Sequence, residues 1–549
     1  MRPIESFRYE GNEYFLDGPV SKKLAILDFD EGTGDLLPPI KFEPPTKRRK
    51  FGRYAIPKNP SPASRDFQRV SVFATILKTI RAFEGNDVLG RELTWAFDAP
   101  QLLVIPRAGN WANAFYERES HSLQFFHFDS MSKPGKTIFT SLSHDIITHE
   151  AGHAILDGIA PGLYDAITPQ ALALHEAIAD LTSLIMALES GVLRKTVLDQ
   201  MGGRIDRPTA LSAVAEEFGQ ALGQGKVHLR SLWNEKTLDP GDRSKDEDGE
   251  PNRVSRSSPH DLSTVLSGAL YRLLVALLEH QVKKLTEGIT DPRELERAMF
   301  SKTGQALATA AKIFRRIVMR SLDYLPPGEV SFADFGRAII AADWSSNPDT
   351  DAFRAGIANE FVGRHIAAST DDLLQKPDIV GTTLSNVDLE TLLESDWAAY
   401  QFVEANRGWL GIPPAIPFRV LPRLAVEKTT WRKNGVRASY RELILKVEWE
   451  RQEPNDVNDI RWNTRAISVG LTLAIDRDDS TIKALLTTDD SAQQAKDRSR
   501  FLQQMVEAEL IDTDVSAPDV SSGIEARVSG GVLRVKGGAR SLHLTTSVH

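Results

Sequence analysis

Two histidines and a glutamate in Thr148-His149-Glu150-Ala151-Gly152-His153 have the spacing of metal chemistry, and His175-Glu176-Ala177-Ile178-Ala179-Asp180 follows downstream. On a helix, His149 and His153 lie one turn apart on the same face. Two imidazoles so placed can hold one Zn²⁺, and Glu150 beside them can take a proton from a water held at the ion. Glu176 on a second helix supplies a third ligand and leaves the fourth position open, which separates a catalytic zinc site from a structural one. Asp180, one turn beyond Glu176, is placed to accept the distal N–H of a ligating imidazole and so fix its tautomer. His175 reads as a supporting or packing residue, because Glu176 has the better spacing. His127 and His144 receive no role.

The elements around these residues must bring them together. Ile146, Ile147, Ala154, Ile155 and Leu156 give the first motif an apolar surround, as a buried helix requires. Pro161-Gly162 ends that helix, and Pro169 opens a second periodic run through Leu172, Leu174, Ile178, Leu181, Leu184 and Ile185. Antiparallel packing of the two would carry Glu176 to the histidine pair. Upstream, residues 66–85 have helical periodicity, and 90–140 hold short strand-like runs at Leu102–Ile105, Asn113–Tyr116 and Leu123–Phe128. An edge strand there could align an extended peptide by strand addition. Helices dominate from 143 to about 345, with a polar loop from Asn234 to Pro259, and Ala306–Ser321 and Phe332–Ala342 close the bundle.

These fragments, in this order, resemble the thermolysin-like zinc metallopeptidases over roughly residues 60 to 345. His149-Glu150-x-x-His153 with Glu176-Ala177-Ile178-x-Asp180 is similar to that family's paired zinc helices. The resemblance implies an α+β, two-lobed fold with zinc in the cleft between a strand-rich lobe and a helical lobe. It implies that Asn113 and Ala114, in Asn113-Ala114-Phe115-Tyr116, hold the substrate backbone, and that Arg230 contacts a substrate carbonyl. It casts Tyr164 and His260 as the residues that stabilise the transition state beside Glu150, the general base. Ile146 and Leu229 would line an apolar pocket favouring a bulky residue after the cleaved bond. Three departures stand out. His175 replaces the asparagine that normally precedes the glutamate ligand, and should still hydrogen-bond a ligand histidine. Ser255 replaces a carboxylate five residues before His260, leaving Asp248 or Glu250 as candidates for that role. Asp145 matches a calcium ligand, but Ala187 and Lys195 replace two partner carboxylates, so the paired calcium site is not expected.

The whole chain sets the bounds. Its 549 residues suffice for two or three domains, and its 41% hydrophobic and 26% charged composition is that of an ordinary globular protein. A formal charge of −9 argues against nucleic acid as a partner. Lys47-Arg48-Arg49-Lys50, the only dense basic run, reads as a solvated loop. There are no cysteines, hence no disulfide framework. The first residues have no apolar signal core and no window reads as a membrane span, so we expect a cytoplasmic protein as synthesised, with non-classical export the alternative. The expected division is an irregular segment 1–65, a strand-rich lobe 66–145, a helical lobe 146–370, and a separate strand-rich α+β domain 371–549. In the last, Leu443, Leu445, Val447 and Trp449 alternate on one face, as do Ile467, Val469, Leu471, Leu473 and Ile475. A helix is expected near Ala492–Leu510, and Gly530-Gly531 marks a hairpin. That domain could recognise substrate, bind a protein partner or cover the cleft. The expected activity is zinc-dependent endopeptidase. The alternatives are a non-catalytic peptide-binding scaffold, which intact Glu150 disfavours, a partner-specific peptidase effector, and an aminopeptidase, whose amine-capturing segment is missing.

Overall fold

The computed structural model describes residues 13–57, 60–214, 230–246, 249–346, 353–431, 437–454, 464–489, 491–507 and 525–537, and the fold is mixed α+β. The first part is built on short strands: β1 (Phe15–Leu16), β2 (Val20–Ser21), β3 (Leu24–Ile26), the paired β4 (Phe42–Glu43) and β5 (Arg53–Tyr54), β6 (Leu102–Ile105), β7 (Ala114–Glu117) and β8 (Ser122–Phe125). Six of them form one sheet in the order β1-β2-β3-β6-β8-β7, so among the described strands β7 lies at an edge. The helix expected over 66–85 is α1 (Arg65–Glu84), started by the Ser64 hydroxyl accepting from the Phe67 amide. It buries Val72, Phe73, Ile76, Leu77, Ile80 and Phe83. A small ribbon, β9 (His127–Asp129) with β10 (Thr137–Phe139), leads into the helices.

Helix α2 (His144–Ile159) carries the first motif and stops before Ala160-Pro161. Helix α3 (Pro169–Glu189) carries the second, with Pro169 in its first turn and every residue except Ala187 and Glu189 buried. They pack closely because Gly152 has no side chain: a Cβ there would lie 3.0 Å from both Ala179 Cα and Thr182 Oγ1. Around this pair stand α4 (Gly191–Gln200), α5 (Pro259–Thr286), α6 (Pro292–Arg320), α7 (Phe332–Ser346) and α8 (Arg354–Gly363). Between α4 and α5 lies the two-residue pairing of β11 (Ala213–Val214) with β12 (Arg230–Ser231). Against the expectation that no window reads as a membrane span, α3 and α5 are long and apolar enough to cross a bilayer by length and composition; here most of each apolar window is packed inside the protein.

The remaining chain supplies α9 (Leu389–Glu394), α10 (Asp396–Ala405), β13 (Phe418–Val420), β14 (Leu424–Trp431), β15 (Arg437–Pro454), β16 (Thr464–Asp476), β17 (Ile482–Thr487), α11 (Ala492–Glu507), β18 (Glu525–Ser529) and β19 (Val532–Lys536). The helix near 492–510 and the Gly530-Gly531 hairpin are both present, the latter pairing Ser529 with Val532. The long strands form a seven-stranded sheet. One face, with Leu443, Leu445, Val447, Leu471, Leu473 and Ile475, packs on Leu389, Leu392, Ala399 and Val403 of α9 and α10.

The other face of this sheet, which the sequence places in a domain of its own, packs on the helices. Val426, Ile444, Ala474 and Ala484 join the same apolar core as α2, α3 and α5–α7. Charged residues on that face are buried too, and they pair across the junction. Lys428 Nζ stands 3.5 Å from both Asp323 and Glu442, while Arg91 holds Asp323 at 2.7 Å. Thr472 donates to the Leu325 carbonyl at 2.8 Å. The physical reason is that the period of two marks which residues share a face but not whether the polar face meets water or opposite charge.

Candidate metal centre

Helices α2 and α3 bring His149, His153 and Glu176 into one buried group able to hold a metal ion, with a ligand atom from each within 4.8 Å of the others. The two histidine Nε2 atoms are 3.1 Å apart. Glu176 places one carboxylate oxygen 3.7 Å from His149 Nε2 and the other 3.6 Å from His153 Nε2. Donors about 2.0–2.1 Å from a tetrahedral ion are separated by about 3.3 Å. The Nε2–Nε2 spacing is close to that value, and each Glu176 oxygen stands a few tenths of an ångström beyond it from one of the imidazoles, so the group could hold a metal ion.

The outer nitrogens of both rings are engaged, which turns the Nε2 atoms inward. His149 Nδ1 stands 3.0 Å from Asp180 Oδ1, the supporting contact expected of Asp180. His153 Nδ1 is 2.7 Å from His175 Nδ1, so His175 makes the hydrogen bond expected where the resembling family has asparagine. Burial opposes a charge on His149, yet the Asp180, Glu176 and Glu150 carboxylates outweigh it and hold the ring above its usual pKa. Glu150 itself is 4% exposed on the same helix.

His260 enters from the first turn of α5, which the Ser258 hydroxyl caps at the Asp261 amide. Its Nε2 lies 3.6 Å from Glu176 Oε2. Glu176, 84 residues away in sequence, thus places a carboxylate against this ring; of the two carboxylates expected for that role, Asp248 lies outside the described residues and Glu250 is exposed, and Ser255 interacts with Ser257. Tyr164 is fully buried. Its hydroxyl donates to Glu119 at 2.9 Å and accepts from the Arg118 amide at 3.1 Å, and its ring is edge-on to His175.

Strand β7 is locked beside α2. Tyr116 donates to Asp157 at 2.7 Å, and Arg118 spans Asp157 and Asp165. Asn113 turns its own Oδ1 back to the Ala114 amide at 2.9 Å, and Ala114 is 7% exposed. Ile146 is buried on the first turn of α2. Arg230 sits in β12, but its side chain and Leu229 lie outside the described residues. Asp145 accepts from the Ser143 hydroxyl and from the Ile146 amide, so it serves the start of α2.

Sequence reasoning missed the parts that steady α3. Glu329 accepts from the amides of Ile167 and Thr168, the latter at 2.8 Å, capping the helix that carries Glu176. Arg498 of α11 donates to the Thr168 hydroxyl at 3.3 Å and pairs with Glu453. No local spacing signals these contacts, since Thr168 and Arg498 are 330 residues apart.

No protein-family model matches this sequence, and a search of curated proteins finds no match.

Proposed function

We propose that this protein is a zinc-dependent endopeptidase of the thermolysin-like type, with a strand-rich lobe and a helical lobe meeting at the metal centre. The observation that carries this reading is the convergence of His149, His153 and Glu176 in one buried group, a ligand atom of each within 4.8 Å of the others, with Glu150 beside His149 on the same helix. Two neutral imidazoles and one carboxylate favour zinc over calcium or magnesium, which take all-oxygen sets. The chemistry a zinc ion supplies there is Lewis acidity toward water and a carbonyl oxygen.

The chain's own residues do the rest. Asp180 and His175 orient the two ligand rings. Glu150 accepts the proton of the attacking water and passes it to the departing amine. His260, facing Glu176, donates to the oxyanion that forms as the carbonyl is attacked. Tyr164 serves as a second donor once its hydroxyl leaves Glu119. The edge of β7, with Asn113 and the Ala114 carbonyl, holds the peptide extended. Arg230 binds a carbonyl further along, and Ile146 with Leu229 favours a bulky apolar residue after the scissile bond. The setting in the cell is cytoplasmic, and the ligand is a peptide or protein, with no nucleic acid.

The test compares the zinc-loaded full chain with Glu150→Gln on a peptide library, with and without a zinc chelator, reading products by mass spectrometry. We expect internal, chelator-sensitive cleavage that falls about 10²–10⁴-fold in Glu150→Gln. Equal inertness of both proteins, each carrying one zinc, would establish the scaffold reading. Cleavage only at amino-terminal residues would establish an aminopeptidase.

A further inference from the structure

The polar insertion between β12 and α5 builds a cavity of its own, none of whose lining residues belongs to the metal centre. It has a volume of about 530 Å³ and is lined by Glu235, Asp239, Asp242 and Glu360, with Asn252, Arg364 and His365 among the other lining residues. Four carboxylates thus face one guanidinium, and that guanidinium is already committed. Arg364 donates to Glu360, to Asn234 Oδ1 and to the carbonyls of Asn234 and Lys236. Glu235 pairs with Arg272 outside the cavity. Asp239 and Asp242 each use one oxygen to accept a loop amide, from Gly241 and Ser244 at 2.8 Å. Among the described residues neither makes an ion pair with a lysine or arginine; the His365 ring stands 3.8 Å from Asp239.

A second observation points to a ligand. Asn252 lines the cavity and is 5% exposed; its Nδ2 donates to the Ser244 hydroxyl, while its Oδ1 is buried with no hydrogen-bond partner among the described residues. A buried acceptor left unmade costs about 1–3 kcal/mol, so a donor belongs there. Helix α8 adds to the field by ending at Gly363, which points the negative end of its dipole at the cavity. The described carboxylates do not converge as a metal group, since His149, His153 and Glu176 are the only such cluster among the described residues. Dispersed negative charge around a roomy cavity suits an extended organic cation, not a bare ion.

We propose that this cavity binds an alkyl-ammonium or guanidinium group, donated either by a basic side chain of a peptide or by a free polyamine. The loop that forms it is tied to the helix bearing His260: Asn234 Nδ2 donates to the Thr264 carbonyl at 3.1 Å, one turn beyond His260. The site stands independently of the peptidase reading, because none of its lining residues belongs to the metal centre.

Calorimetric titration of the full chain with N-acetyl-argininamide and, separately, with spermidine tests it. The comparison is the Asp239→Asn/Asp242→Asn double variant, whose amide oxygens can still accept from Gly241 and Ser244 and so keep the loop. At least one probe should bind saturably, and the double variant should weaken it by about tenfold or more with an unchanged melting transition. Tighter binding of the arginine derivative assigns the cavity to peptide side chains, and tighter binding of spermidine assigns it to free amines. If the double variant melts early, the single Asp242→Asn variant must still weaken binding. No saturable binding by either probe, undiminished binding in the variants, or displacement of the probes by calcium or magnesium at equal concentration would overturn the proposal.

Discussion

At the scale of residues, the candidate centre is a set of paired imidazoles and carboxylates, and the outer pairings matter as much as the inner ones. Asp180 holds His149 from behind, so Asp180→Ala should weaken zinc about 10–100-fold in competition with a chromophoric chelator. Unchanged affinity would mean that packing alone orients the ring. His260→Ala should cost about 10²–10³ in turnover while leaving zinc content intact, if the residue acts on the developing charge. Loss of the metal in that variant would make His260 a ligand instead. The pairs His149/His153 and Glu176/Asp180 are legible in the sequence because a spacing of four residues puts each pair on one helix face, and Glu150 is legible from its place in the His-Glu-x-x-His motif. The partners of His260 and Tyr164 are not, because Glu176 and Glu119 reach them through tertiary packing, 84 and 45 residues away along the chain. A search five residues upstream of His260 finds only Ser255.

At the scale of elements, the centre depends on how closely α2 approaches α3 and on what anchors the start of α3. Gly152→Val would drive a side chain into Ala179 and Thr182. We expect a loss of about 1–3 kcal/mol in denaturant unfolding, with weaker zinc binding, from such overpacking. The anchor of α3 is Glu329, whose carboxyl burial holds above the usual range while Arg498 partly offsets the shift. A carboxyl raised in the folded state favours folding at low pH, and that contribution fades as pH climbs through the folded pKa. Removing Arg498 enlarges the shift and also strips Glu453 of one partner. Arg498→Ala should therefore cost about 3–5 kcal/mol at pH 7 and less near pH 4, measured by urea unfolding at both. A loss that grows on acidification would refute this sign. Helices α1, α2 and α3 and the long strands β15 and β16 can be read from periodicity and from Pro161 and Pro169, and the last hairpin from Gly530-Gly531; two- and three-residue strands such as β1, β2, β4 and β5 are too short to show a period. The capping of α3 cannot, because a lone glutamate after Pro326-Pro327-Gly328 carries no pattern.

At the scale of the molecule, the carboxy-terminal sheet is part of the body that carries the centre, since Ile444 and Ala474 share its core. Alternation in β15 identifies one apolar face correctly, but it gives Glu442 and Lys446 the look of a solvent face, whereas both are buried opposite Asp323, Tyr324 and Arg91. Burial brings Lys446 down to about 8, with Asp323 pulling the other way. The folded state thus resists charging this lysine, and the penalty is full below about pH 8 and disappears as pH rises to the unfolded value near 10.5. Asp323 keeps Arg91 and Lys428 when Lys446 is removed. Lys446→Met should therefore stabilise the protein by about 1–3 kcal/mol at pH 7, with a smaller gain near pH 10; destabilisation at pH 7 would contradict it. The decisive measurement for the whole is an anomalous difference map at the zinc edge from crystals of the zinc-loaded full chain. We expect one strong peak about 2.0–2.2 Å from His149 Nε2, His153 Nε2 and a Glu176 carboxylate oxygen, with no fourth protein ligand. A peak elsewhere, a fourth protein ligand closing the sphere, or no peak between the two histidines would contradict a catalytic zinc centre.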